Sequence, residues 1–100
     1  MDNFELIAQA TQAIAANFAD VSAYWQRAIL LHDMGQYREA LADLDTLLDT
    51  LHAEKADTYL FRSSVRLKLG DKDGALSDMR HAIELDPSLL KECTGQFKSK

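Results

Sequence analysis

The chain contains an internal repeat with a period of 35 residues. The repeated set is a Tyr, an Arg, a Gly, an Ala and a Leu: Tyr24, Arg27, Gly35, Ala40 and Leu41, then Tyr59, Arg62, Gly70, Ala75 and Leu76. In each copy the Gly separates two segments that are long enough to form helices. A repeat of this length predicts tandem helical hairpins, which bury their apolar faces chiefly against neighbouring units.

The periodicity of apolar residues divides the chain into six predicted helices. They cover about residues 3–17, 21–34, 37–50, 56–69, 72–85 and 88–97. Gly35 and Gly70 can adopt the left-handed backbone conformation that ends a helix, and Asp71 can cap the helix that follows. Each predicted hairpin therefore has a turn with a physical cause.

A predicted core lies between the two helices of each hairpin. Small residues are expected where the helices approach closely: Ala28, Ala40, Ser63 and Ala75. Larger apolar residues are expected to fill the space beside them: Leu31, Leu41, Leu44, Leu76 and Met79. Close packing of this kind excludes these positions from a functional site.

The second copy resembles the tetratricopeptide repeat, whose pattern runs Trp-x-x-Leu-Gly-x-x-Tyr, then Ala, an aromatic residue and Pro. The matching residues, in that order, are Tyr59, Arg62, Ser63, Arg66, Ala75, Met79 and Pro87. The first copy supplies Tyr24, Ala28, Leu31, Gly35, Tyr37, Ala40 and Leu44. It has His52 where the Pro should stand and an extra residue near Glu54.

The resemblance implies an all-α fold, a right-handed superhelical stack of antiparallel helix hairpins, or α-solenoid, of about six helices. We expect one domain over residues 1–100, with full repeats at residues 21–52 and 56–87. Residues 2–18 are expected to form the lone helix of an incomplete repeat, because their apolar residues lie 34 positions before those of the first repeat's second helix. Residues 88–97, with Leu89, Cys93 and Phe97 on one stripe, are expected to form a capping helix.

Composition and charge restrict the classes of partner that the protein is expected to bind and the cell compartment in which we expect it. Residues 1–50 carry eight acidic and two basic side chains, which disfavours a nucleic acid ligand. No apolar run approaches the length of about 18 residues that a membrane span needs, and the acidic N-terminus differs from a secretory signal. Cys93 is the single cysteine, so no disulfide or zinc thiolate cluster is expected. We expect a cytoplasmic protein with no membrane, metal or cofactor.

No catalytic motif is found in the sequence. It contains no Gly-rich phosphate loop and no His-Glu-x-x-His, and His32, His52 and His81 share no metal-ligand spacing. His32 and Asp33 are adjacent, and adjacent side chains of a helix point in different directions. We therefore expect a protein that is not an enzyme.

The predicted partner-binding residues follow from the resemblance, which implies that the first helix of each hairpin lines the concave side of the stack. The groove stripe comprises Trp25, Ile29, His32, Leu60, Ser64, Leu67 and Lys68. Its flanks are Ser22, Asp33, Asp57 and Phe61. Because the Lys and Asn set that grips chaperone tail carboxylates in some family members is missing, a peptide or helix of a partner protein with an apolar segment is expected.

Two features of the groove and the first helix have alternative interpretations. Trp25 is either an aromatic anchor for the ligand or packs on the first helix or the C-terminal tail. The first helix lacks a hairpin partner, so Leu6, Ala10 and Ala13 could be uncovered and mediate self-association. We expect a monomeric binding module; a structural or self-associating module, with a homodimer through the first helix, is the alternative.

The spacing of charged residues predicts two ion pairs. Arg27 and Asp43 are 16 residues apart, as are Arg62 and Asp78, and each turn Gly lies midway between them. Residues equidistant from the turn of an antiparallel hairpin lie at about the same height, so each pair can meet. The alternative is that both Arg side chains extend into solvent and both Asp side chains lie on a charged outer face.

Overall fold

A computed structural model describes residues 1–91 of the chain, and within that range all regular secondary structure is helical. The helices are α1 (Asn3–Ala16), α2 (Val21–Asp33), α3 (Tyr37–Asp45), α4 (Ala56–Lys68) and α5 (Lys72–Leu85). These bounds confirm the all-α prediction for the five helices they cover. The predicted sixth helix, including Cys93 and Phe97, lies mostly outside the described residues.

Each hairpin turn is built as the sequence predicts. Gly35 and Gly70 have φ angles of 79° and 85°, in the left-handed region that glycine adopts without steric cost. The carboxylate of Asp71 accepts a hydrogen bond from the backbone N–H of Gly74 and so caps α5. The turns are only three residues long, so α2 and α3, and likewise α4 and α5, pack side by side as antiparallel pairs.

The end of α3 differs from the end of α5. α3 continues through one π-helical turn, Thr46–Thr50, in which the backbone N–H of Leu51 donates to the carbonyl oxygen of Thr46 at 2.9 Å. A π turn holds one residue more than an α turn. It therefore takes up part of the extra length of the first repeat. His52 follows with a φ of 55°, which ends the helix where the second repeat has Asp86 and Pro87.

The core lies between neighbouring helices along the stack. One cluster joins α2, α3 and α4 around Tyr24, Leu44, Leu47 and Val65. A second cluster joins the π turn, α4 and α5, and the half-buried Leu89 packs against it. Each cluster contains residues of both hairpins and so joins the first hairpin to the second.

One expectation about the core is wrong. Leu76 is 54% exposed, because the neighbouring Ala75 faces α4 and consecutive helical side chains point about 100° apart. The stripe of α1 is partly covered: Ala10 is buried and Leu6 and Ala13 are half-buried beside α2, and all three line an open hollow.

Candidate functional site

α2 and α4 together form an open groove with an apolar floor. Trp25, Ile29 and His32 of α2 and Leu60 and Phe61 of α4 line one hollow of about 390 Å³, with Asp33 and Asp57 also in its wall. Trp25, Ile29 and His32 are spaced so that they share one face of α2. Four of the seven residues predicted for partner binding, Trp25, Ile29, His32 and Leu60, therefore meet at one place.

Phe61 is the residue that joins the two helices of the groove. Its ring lies edge-on to Trp25, with centroids 5.5 Å apart, and edge-on to His32 at 5.3 Å. Aromatic rings favour this edge-to-face arrangement. Trp25 is half-buried and packs on the next hairpin, so neither of the two interpretations of Trp25 describes its contacts fully.

His32 is held among aromatic rings at the end of the hollow. The ring of Tyr37 lies edge-on to it at 5.5 Å, and its Nδ1 lies 3.5 Å from Oδ1 of Asp33. Its Nε2 is buried with no hydrogen-bond partner among the described residues. The sequence reasoning missed Tyr37, although its place just after the turn that follows His32 could have indicated the contact.

The other three predicted residues lie further along α4 and do not line the hollow. Ser64 is half-buried, and Leu67 is 52% exposed. Lys68 places its Nζ 5.9 Å from the centroid of the Tyr37 ring. The predicted set therefore forms a strip that runs from the hollow along α4 towards the Gly70 turn.

Buried ion pairs fix α2 and α4 from the side opposite the groove. Arg27 donates from Nη2 to Oδ1 of Asp43 at 2.6 Å and from Nε to Oδ2 at 2.8 Å. Arg62 donates from Nη2 to Oδ1 of Asp78 at 2.9 Å. Both predicted ion pairs are confirmed, and the solvated alternative is wrong for these two Asp residues because both are buried.

Each of these Arg residues also reaches the helix before its own hairpin. Nη1 of Arg27 donates to Oγ1 of Thr11 on α1 at 3.2 Å, and Nη1 of Arg62 donates to Oδ1 of Asp45 on α3 at 3.0 Å. Hydrogen bonding to Asp43 raises the pKa of Arg27. Burial lowers the pKa of Arg62, but hydrogen bonds and charge from Asp78 and Asp45 outweigh it and raise that pKa overall. Every groove helix is thus tied to the helices on both sides.

Two kinds of feature are not found among the described residues. These residues hold no cluster of His, Cys, Asp or Glu side chains that could bind a metal ion. None of the helices within residues 1–91 is long and apolar enough to cross a membrane. The groove has an apolar floor, two carboxylates in its wall and one half-buried aromatic pair.

The sequence matches the model of a known protein family. The tetratricopeptide repeat model matches residues 21–49 and 56–89, which cover both hairpins and most of the chain. No curated protein matches the sequence significantly. Tetratricopeptide repeats generally mediate protein–protein interactions. The repeated hairpins, their turn glycines and the family match together show that this chain belongs to the tetratricopeptide repeat family.

Proposed function

We propose that the protein is a non-catalytic adaptor whose groove, formed by α2 and α4, binds a peptide or helix of a partner protein. The observation that carries this proposal is the apolar strip on the groove helices. Ile29 is 36% exposed and lines the hollow, and Leu67 is 52% exposed and lies two helical turns after Leu60, on the same face of α4. Apolar side chains in such a surface gain free energy when a ligand removes them from water.

The groove favours one kind of ligand chemistry. Its floor consists of Trp25, Ile29, Leu60 and Phe61, which suit aliphatic or aromatic side chains. Asp33 and Asp57 stand in the wall, so an acidic segment would meet like charge there. An apolar segment without acidic residues is the ligand that this surface supports best.

The test compares two leucines that are almost equally exposed. Leu67 of α4 lies on the groove strip, and Leu76 of α5 lies outside it, with exposures of 52% and 54%. The full chain and the variants Leu67→Glu and Leu76→Glu are used to capture partners, which are identified by mass spectrometry. Because both positions face water, neither substitution should unfold the protein.

The proposal expects Leu67→Glu to lower capture of the partner by about tenfold or more, since hot-spot losses commonly exceed 1.4 kcal/mol. Leu76→Glu should capture as much as the unaltered chain. Equal capture by both variants, or a loss confined to Leu76→Glu, would overturn the assignment of the groove. Circular dichroism of both variants shows whether the helices are retained.

A further inference from the structure

The hollow between α2 and α4 combines aromatic rings with carboxylates. Trp25 and Phe61 contribute rings to its lining. Asp33 and Asp57 contribute carboxylates, and no Lys or Arg side chain of residues 1–91 lines it. Because a cation is attracted both to an aromatic ring and to a carboxylate, this lining favours a positively charged group of the partner.

The same combination of a ring and a carboxylate already holds arginines within the protein. The Cζ atom of Arg27 lies 5.9 Å from the centroid of the Tyr24 ring, and the same guanidinium group binds Asp43. Arg62 repeats this arrangement in the second hairpin, where its Cζ atom lies 5.8 Å from the centroid of the Tyr59 ring. The hollow presents the same two kinds of group without the cation.

Asp57 is the carboxylate of the hollow that has no cationic partner. It is exposed, and no ion pair joins it to a basic side chain of residues 1–91, not even to Lys55 two positions before it. Asp33 differs, because its Oδ1 lies 3.5 Å from Nδ1 of His32. The carboxylate of Asp57 is thus available to a cation from outside the chain.

Asp57 lies at the same edge of the hollow as the indole of Trp25. These two residues line both this hollow and an adjoining one of about 450 Å³, so they stand at the boundary where the two hollows meet. Trp25 is only half-buried, and its ring lies edge-on to Phe61. One side chain of a ligand can therefore contact the indole and the Asp57 carboxylate together.

An acidic residue in the first turn of a helix also has an ordinary structural role, because it lies near the positive end of the helix dipole. Asp73 is the second residue of α5, as Asp57 is of α4, and both are exposed. Asp73 lines neither of the two hollows. The aromatic surroundings, and not the position in the helix, distinguish Asp57, so Asp73 provides a matched control.

We propose that the partner segment carries a basic side chain, Arg or Lys, which packs on Trp25 and pairs with Asp57. Apolar residues of the same segment cover Ile29 and Leu60. This requirement rests on the proposed function of the groove and adds the class of side chain that the groove selects. A basic side chain at this place interacts favourably with both the ring and the carboxylate, and an acidic one is repelled.

The test selects ligands from a library of random short peptides displayed on phage. The full chain, Asp57→Asn and Asp73→Asn serve as baits, and the frequency of basic residues among the selected peptides is compared with that in the unselected library. The full chain and Asp73→Asn should enrich peptides that combine a basic residue with apolar residues. Asp57→Asn should select apolar peptides without this enrichment. Since both substitutions remove one exposed charge from the same helix position, net charge does not explain a difference between them.

The affinity of one selected peptide then measures the contribution of its basic residue. Trp25 is the single Trp of the chain, so its fluorescence reports binding of a peptide that lacks Trp. Replacing the basic residue of the peptide by Gln should weaken binding to the full chain and to Asp73→Asn by about tenfold. The same replacement should leave binding to Asp57→Asn nearly unchanged, because the interacting carboxylate is already absent.

Selected peptides without a basic preference, or a preference that Asp57→Asn retains, would overturn this inference. If those peptides bind Leu67→Glu more weakly than the full chain, the proposed groove still stands. A selection that yields no peptide, or only peptides that bind Leu67→Glu as well as the full chain, would overturn both the groove and the basic residue.

Discussion

The two hairpins contain the same Arg–Asp arrangement in different surroundings. Arg27 bonds to Asp43 and to the hydroxyl of Thr11, and the exposed fractions of the Arg and Asp side chains are 22% and 5%. Arg62 bonds to Asp78 and Asp45, and the fractions of its pair with Asp78 are 9% and 1%. The sequence spacing is identical, so the difference comes from the helices that surround each pair.

In the second hairpin, the buried carboxylate has a second cation beside it. Arg66 donates from Nη1 to Oδ2 of Asp78 at 3.0 Å and from the same atom to the carbonyl oxygen of Gly74 at 3.2 Å. Asp78 thus neutralises two guanidinium groups, whereas Asp43 bonds to one. An isolated surface pair contributes little to stability, but a buried carboxylate that serves two cations is costly to remove.

The largest expected effect is the loss of stability in Asp78→Ala. It leaves Arg62 and Arg66 without their shared carboxylate, so the free energy of unfolding should fall by about 3 to 5 kcal/mol. Asp43→Ala, the matched change in the first hairpin, should cost about 1 to 3 kcal/mol, because water reaches Arg27 more easily. Urea unfolding of both variants measures the difference. Equal losses would show that burial of the pair does not set its importance.

The next effect compares Trp25 with Leu60, the residue 35 positions later. Trp25→Ala removes a ring that packs on Phe61 of the following hairpin, so we expect a loss of about 2 to 3 kcal/mol. Leu60→Ala should cost about 1 to 2 kcal/mol, because Leu60 is only partly covered. Thermal unfolding followed by circular dichroism measures both. A larger loss for Leu60→Ala would contradict the role of Trp25 in joining the hairpins.

The turn glycines should respond alike. At both Gly35 and Gly70 an added Cβ would meet no atom within 4 Å, so the cost of alanine arises only from the positive φ. Gly35→Ala and Gly70→Ala should each lower the unfolding free energy by about 1 to 2 kcal/mol. Denaturant midpoints test this. A clear difference between the two losses of unfolding free energy would mean that the surroundings of the two turns differ as much as those of the two ion pairs.

The smallest expected effect is a change in how the stability of the protein depends on alkaline pH, and it comes from Tyr59 of the second hairpin. Burial and a hydrogen bond to Glu54 raise the pKa of the Tyr59 hydroxyl, which donates to Oε1 of Glu54 at 3.1 Å. A raised pKa in the folded state gives stability that is present below the unfolded pKa of about 10 and is lost as pH rises through the folded pKa.

Tyr59→Phe should therefore reduce the fall in stability between about pH 9 and pH 12. Tyr24→Phe, at the equivalent position, keeps the bond between Tyr59 and Glu54 and serves as the control. The measurement is the free energy of unfolding at several alkaline pH values. An unchanged slope in Tyr59→Phe would show that this hydroxyl does not contribute to the alkaline loss.

The spacing of residues in the sequence correctly predicted the structural features that are set within a single hairpin. The turns at Gly35 and Gly70 and the pairing of Arg27 with Asp43 follow from helix geometry alone. The contact of Trp25 with Phe61 depends on how one hairpin lies on the next, which no spacing within a repeat specifies. The exposure of Leu76 likewise depends on which helices cover α5. Packing between hairpins therefore limited the prediction of the groove.

The central claim is that the groove helices α2 and α4 bind the partner while α3 and α5 support them. Hydrogen exchange of the full chain, with and without the captured partner, tests it most directly. The account predicts that binding slows amide exchange in α2 and α4 around Ile29 and Leu67 and leaves α5 around Leu76 unchanged. Slower exchange confined to α3 and α5 would contradict it.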